Sequence, residues 1–243
     1  MGNTLLFKAV DTGHPIEFIP PVDIIHFTEE QLKYRKHTAT VPKELIQSVN
    51  PEELDLMYGG FCPDYGFWWL EISGQSDNVV EEYEDIRDQL VKAVYGVWDH
   101  IKNSEGHNAE NYAIDWIGSV PGIRESRRLV GEYILNENDI LQNKFFDDGV
   151  AFGGWPIDVH PSKGFHHKGL PTKYINFSGH YSIPYRCFYS KNIENLMMAG
   201  RDISVSKLAM ASTRVIGTCA VGGQAVGTAA ALSVIHSVTP AQL

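Results

Sequence analysis

The chain has 243 residues, enough for one large domain or two small ones with a core of their own. Its formal net charge of -10 leaves no basic excess to neutralise phosphate, which argues against a nucleic-acid partner or an anionic membrane surface. Hydrophobic residues at 43% and charged residues at 21% are ordinary for a folded soluble protein. Cys62, Cys187 and Cys219 lie far apart with no CxxC, which fits neither a disulfide framework nor a zinc site. The first residues, MGNTLLFKAV, are too short and too quickly charged for a secretory signal, and cytoplasm and periplasm both stay open.

In chain order, Thr4–Val10 reads as a strand closed by the turn-like Asp11-Thr12-Gly13. From Pro20 to about Pro63 the chain is rich in turns and charges, with a short helix expected at Thr28–Lys36. Gly66–Ser73, GFWWLEIS, is aromatic and reads as a buried strand. The clearest helix is Asn78–Lys102. Its residues Val79, Tyr83, Ile86, Leu90, Val94, Val97 and Ile101 fall at steps of four and three and make one apolar stripe. Asn78 and Glu81 offer a capping box, and Gly106 lies just beyond the end. Tyr112–Val120 reads as extended and Pro121-Gly122 as a turn, while Arg124–Leu135 fits a short strand or a helix equally well. Val150–Val159 and Ile183–Tyr189 are expected strands, and His160–His180 a long loop. No internal repeat or low-complexity tract interrupts the series.

Residues 195–232, NLMMAGRDISVSKLAMASTRVIGTCAVGGQAVGTAAAL, are the most informative. Leu196–Ala199 reads as a short buried strand ending at Gly200, and Ser212 or Thr213 as the cap of a helix from about Arg214 to His236. Gly217, Gly222, Gly223 and Gly227 each cost about 1 kcal/mol of helix propensity relative to Ala. A helix that accepts this cost is approached closely by another backbone or by a flat ligand, and its N-terminal amides favour negative charge. Three plainer readings stand beside that one. A small-residue helix can pack on a sheet with no ligand. Val215–Val234 carries no formal charge and contains Gly223-xxx-Gly227, as membrane helices do, although Gln224 and the many Ala and Gly residues make it weakly apolar. Cys219 could be a nucleophile, but with no adjacent His or carboxylate it reads better as a small buried thiol.

Taken with MGNTLLF, GFWWLE, EEYEDIRDQLVKAVYGVWDHIKN, PGIRESRRLVGEYIL, FGGWP and PYRCFYSKNIENLMMAGRDIS, in that order, this stretch resembles a bacterial FAD-dependent oxidoreductase family. The likeness runs from Met1 to about Leu232. It implies FAD as cofactor and an α/β fold, α+β within the residues given. Residues 1–185 would form part of a substrate domain, and 186–243 the last strand and helix of a glutathione-reductase-like FAD-binding domain. The GxGxxG that opens such flavoproteins is missing, since Gly59-Gly60 and Gly149 to Gly154 lack its spacing. The resemblance therefore implies a C-terminal portion that binds FAD weakly and exposes apolar surface, with a homodimer as a companion. It also implies that Gly200, Arg201 and Asp202 run along the ribityl and pyrophosphate portion. Thr213, Gly217 and Ala220 would face the pyrimidine edge, where oriented amides favour the charge of reduced flavin.

Arg214, just before the expected helix start, is placed to hold a substrate oxyanion, with a plain surface charge as the alternative. Arg124, Arg127 and Arg128 offer a cationic patch, or salt bridges with Glu125 and Glu132. Arg124, Arg128 and Trp155 are the substrate-binding candidates, and Tyr185 and His180 the proton acceptors beside Arg214. Trp68, Trp69 and Tyr181 line a pocket or fill a core. No metal site is expected, because His160, His166, His167 and His180 lie in a loop without a carboxylate pair. The expected activity is hydride transfer from a small organic substrate to flavin, and the alternative a non-catalytic binding or scaffold domain.

Overall fold

Strand β1 (Asn3–Asp11) buries Leu5, Phe7 and Ala9 and turns the residues between them outward, the alternation of a sheet covered on one face. The computed structural model describes residues 2–32, 67–72, 78–161 and 163–243, with the backbone alone at 67–69. These form two units, Met1–Arg124 with Pro161–Pro171 and Glu125–His160 with Thr172–Leu243. Residues 125–160 and 172–185 thus fold together with 186–243. Cys62, Gly59 and Gly60 lie outside the described residues.

In the first unit β1 is the middle strand. β2 (Phe67–Ile72) and β3 (Tyr112–Ile117) pair with it antiparallel on either side, in register Leu5↔Leu70 and Val10↔Ala113. Helix α1 (Glu29–Leu32) covers the described part of the expected Thr28–Lys36 helix. Helix α2 (Tyr83–Asn103) lies on the sheet and buries Ile86, Leu90, Val94, Val97 and Ile101, the stripe expected from their spacing, together with Ala93 and Trp98. It begins five residues later than expected. The amides of Glu81 and Glu82 bond to the Asn78 carbonyl, so residues 78–82 close a turn before the helix starts. A Cβ on Gly96 would come within 1.8 Å of the Ile25 carbonyl oxygen, so only glycine lets the loop before α1 rest on α2.

The second unit holds two small antiparallel pairs, β4 (Gly149–Gly153) with β7 (Tyr181–Pro184) and β5 (Ile157–Val159) with β6 (Lys173–Ile175). The single strand expected over Val150–Val159 is split at Gly154-Trp155-Pro156, where proline has no N–H to give a ladder. The expected loop after it contains β6, and the strand expected to reach Tyr189 stops at Pro184 and tightens into a 3-10 turn. Helix α3 (Glu137–Leu141) is fixed by a capping box between Asn136 and Asp139. Residues 124–135 are neither long strand nor helix. They are tied to residues 202–204 by Leu129 N–H to Asp202 O at 2.7 Å and Leu135 N–H to Ser204 O at 3.1 Å. The strand expected at Leu196–Ala199 reduces to one bridge, Met197 with Tyr189.

The helix expected from about Arg214 to His236 is α5 (Ile216–His236), and an unforeseen helix, α4 (Lys207–Thr213), precedes it. α4 starts at Ser206, whose hydroxyl accepts the Ala209 N–H, so neither Ser212 nor Thr213 is a cap. α5 packs on β4 and buries a narrow line of Thr218, Gly222, Ala229 and Ser233. By length and composition alone α5 could cross a bilayer. Its exposed side carries Ile216, Val234 and Ile235 together with Gln224, Thr228 and several alanines and glycines.

Candidate functional site

The joint between α4 and α5 is built from two residues. Arg214 stays near helical geometry at φ -72° and ψ -8°, then Val215 swings to ψ 149° and the helical ladder restarts at Ile216. Valine has no side-chain oxygen, so the first-turn amides of α5 have no side-chain cap. Ile216 is 88% exposed, and a Cβ on Gly217 would meet nothing within 4 Å. The donors at this end are therefore open to an approaching acceptor.

Arg214 is held from β5. Its Nη2 donates to Asp158 Oδ2 at 2.5 Å, and both side chains are largely buried. Asp158 also accepts from Thr172 Oγ1 and lies 3.1 Å from His160 Nε2. Burial alone would raise its pKa, but the bonds from His160 and Thr172 and the charges of His160 and Arg214 hold the carboxyl below the usual range. Two polar atoms of the joint stay unsatisfied. Arg214 Nε and Thr213 Oγ1 are buried without a hydrogen-bond partner among the described residues. Buried polar atoms of this kind take a partner from water, from another segment or from a ligand.

Trp155 reaches the same place through Ser212. The Ser212 hydroxyl donates to the Trp155 carbonyl at 2.5 Å, which uses its one proton, so the buried Tyr181 hydroxyl donates to Ser212 Oγ at 2.7 Å. Burial pushes the Tyr181 phenol up to about 12, against the Ser212 bond, and this ring belongs to the core rather than to a pocket wall. Trp155 itself is 42% exposed.

The Gly200–Asp202 corner adjoins the first turns of α5. Gly200 has φ 122°, a left-handed conformation that favours glycine, and the Asp202 carbonyl is pinned by Leu129 N–H. The charges of Arg201 and Asp202 both act on Cys219. Burial raises that thiol's pKa, Arg201 opposes the rise and Asp202 adds to it, so Cys219 is a protonated thiol and no nucleophile.

Of the expected cofactor residues, Gly200, Arg201, Asp202, Thr213 and Gly217 thus gather around one joint. Ala220 is exposed one turn further along α5. Arg128 precedes Leu129, which holds the corner, and its guanidinium pairs with Glu125 at 3.0 Å. Arg124 belongs to the first unit and is committed to the buried Glu71 carboxylate, which removes the charge a substrate would need. His180 stands at the Gly153 end of β7, exposed, with its ring against Phe145 and Phe152 at 5.3 and 6.5 Å.

Tyr185 is not with them. Its hydroxyl donates to the Pro240 carbonyl at 2.9 Å, in the turn that follows α5. Burial and the neighbouring Tyr189 raise its pKa. Tyr185 borders an apolar groove of about 600 Å³ along Val221 to Leu232, whose Asp148 is already paired with Arg186 at 2.9 Å. His166 and His167 lie in the first unit, apart from His160 and His180 in chain grouping.

Asp158 and Thr172 are residues of this candidate site that sequence reasoning missed, and it considered His160 only as a metal ligand. One signal was available: an aspartate inside a short apolar strand, a place where Asp is disfavoured, with His160 two residues on and on the same face.

The family model of the FAD dependent oxidoreductases matches residues 7–243. The chain belongs to that family. It is a flavoprotein oxidoreductase with FAD as cofactor. No curated protein and no solved structure matches it. The joint fits a flavin: uncapped amides and Arg214 Nε are donors for its carbonyl edge, Thr213 Oγ1 adds a hydroxyl, and the space over Gly217 admits a flat ring.

Proposed function

We propose that the α4–α5 joint receives the pyrimidine edge of the isoalloxazine, and that this flavoprotein oxidises a small anionic or alkoxide-forming organic substrate by hydride transfer. The observation that carries the reading is the pair of buried, unsatisfied atoms, Arg214 Nε and Thr213 Oγ1, beside the uncapped start of α5. Bound FAD supplies the hydride acceptor at N5.

The protein's part is to bind, orient and move a proton. The Asp158 carboxylate fixes one edge of the Arg214 guanidinium and leaves its other donors for a substrate oxygen, in planar contact. The α5 amides stabilise negative charge at the flavin edge, and the Gly200–Asp202 corner lies along the ribityl side. Trp155 covers the substrate with its exposed face, and His180 accepts the substrate's proton. Arg128 is a positioning residue that acts through the strap at Leu129. The net charge of -10 favours a small-molecule partner over nucleic acid or an anionic membrane surface.

Arg214→Lys tests this reading in flavin-loaded protein by anaerobic stopped-flow bleaching. With FAD supplied at saturation, substrate-driven reduction should slow by roughly 2–4 kcal/mol of barrier, the scale of one oriented donor in a water-poor site. Wild-type rates in the Lys variant would make Arg214 a structural charge only.

A further inference from the structure

Two imidazoles and a carboxylate converge in the first unit. His100 lies in the last turn of α2, His107 in the loop that follows, and Glu29 opens α1. Glu29 Oε2 is 2.9 Å from His100 Nε2 and 3.8 Å from His107 Nε2, and the three ligand atoms all lie within 4.8 Å of one another. Both imidazoles are buried, with ring centroids 4.8 Å apart, whereas the Glu29 side chain is 64% exposed.

We propose that Glu29, His100 and His107 bind a divalent transition-metal ion, zinc by their ligand chemistry, and that the ion fastens α1 to the end of α2. Zinc bonds of about 2.0–2.2 Å to nitrogen and oxygen put tetrahedral ligands roughly 3.3 Å apart. The two separations from Glu29 fall on either side of that value, so small side-chain rotations complete the site. Nitrogen ligands select zinc over magnesium or calcium, which prefer all-oxygen shells.

The surroundings also suit a metal. Ser104 Oγ lies 3.3 Å from His100 Nδ1, and by accepting the Nδ1 proton it leaves the Nε2 lone pair for the ion. The Ser104 amide bonds to the His100 carbonyl and fixes that turn at 3.1 Å, while Gly106 at φ 94° bends the chain so that His107 returns to the helix end. The close approach of Ile25 to Gly96 brings α1 to the same end. Three protein ligands leave one position for water, which reaches the ion past exposed Glu29. α1 has four residues, too few to be stable alone, so a metal tie there has a structural purpose.

The test uses the 243-residue chain stripped with EDTA and titrated with zinc ions against a chromophoric chelator, with melting followed in parallel. One equivalent should bind with a Kd of about 1 μM or tighter, and the melting temperature should climb with free zinc. Glu29→Gln, at an exposed position, should keep the metal-free melting temperature and lose at least about tenfold in affinity, with Ser104→Ala losing a similar factor. His107→Gln is read beside its circular dichroism, and should it unfold, Glu29→Gln decides. Zinc affinity unchanged in Glu29→Gln, or no saturable binding below about 1 mM, overturns the assignment.

Discussion

Arg214 is useful to a substrate only if something else holds it still, and Asp158 does so from a strand 56 residues away in sequence. No local spacing encodes a pairing at that separation, which is why the sequence does not show Asp158 as the partner of Arg214. Asp158→Asn keeps the side chain's shape and removes its charge. Flavin reduction by substrate should slow about 10- to 100-fold in the variant, measured as for Arg214→Lys, because the guanidinium loses its anchor. The same variant has a pH signature. The folded Asp158 carboxyl is held below the unfolded value of about 3.9, so its stabilisation is present above that pH and is lost as pH falls through the folded pKa. Asn has no such dependence. A melting series from neutral to acid pH should therefore show a shallower acid limb in Asp158→Asn than in the wild type, and an identical limb would count against the pairing. Tyr181 behaves in the opposite sense. Its folded pKa is raised to about 12, so the stability it contributes is intact below pH 10 or so and is lost as pH rises toward 12, about 3 kcal/mol in all. Tyr181→Phe should flatten the alkaline limb by that order.

Elements differ in how plainly their sequences announce them. α2 was legible because large apolar residues repeat at helical spacing and its buried face is the one they mark. α4 was not, since both sides of Arg214-Val215 are helix-compatible and no glycine or proline punctuates the break between it and α5. The split of β4 from β5 was signalled by Pro156, which the apolar run around it masked. The glycines of α5 sort by place. A Cβ on Gly222 would lie 2.8 Å from Phe188 Cε1, so Gly222→Ala should cost about 1–3 kcal/mol through overpacking. A Cβ on Gly217, Gly223 or Gly227 would meet nothing. Gly217→Val should leave the melting temperature unchanged or slightly higher, because valine exceeds glycine in helix propensity, yet it should lower flavin retention by filling the space over the first turn. Flavin content and melting temperature measured on the same preparations separate the two effects. Full flavin content in Gly217→Val would remove the ring from that position.

At the scale of the whole chain, the family match spans residues 7–243 while none of the 243 residues forms a GxGxxG. The α4–α5 joint has donors for the flavin ring, but the fingerprint that cradles a dinucleotide pyrophosphate is not in this sequence. Affinity for FAD should then come from the isoalloxazine end alone. A ligand that carries the ring without the ADP half, riboflavin, should bind this chain about as well as FAD does, both weaker than about 10 μM. Fluorescence quenching titrations of the purified chain with each ligand measure this directly. Arg214→Ala should weaken both by a similar factor if the ring edge is the shared contact, since each loses the same donor. Stoichiometric FAD binding at micromolar affinity or tighter, with riboflavin at least about tenfold weaker, would mean that residues of this chain grip the ADP half by a route other than the glycine fingerprint.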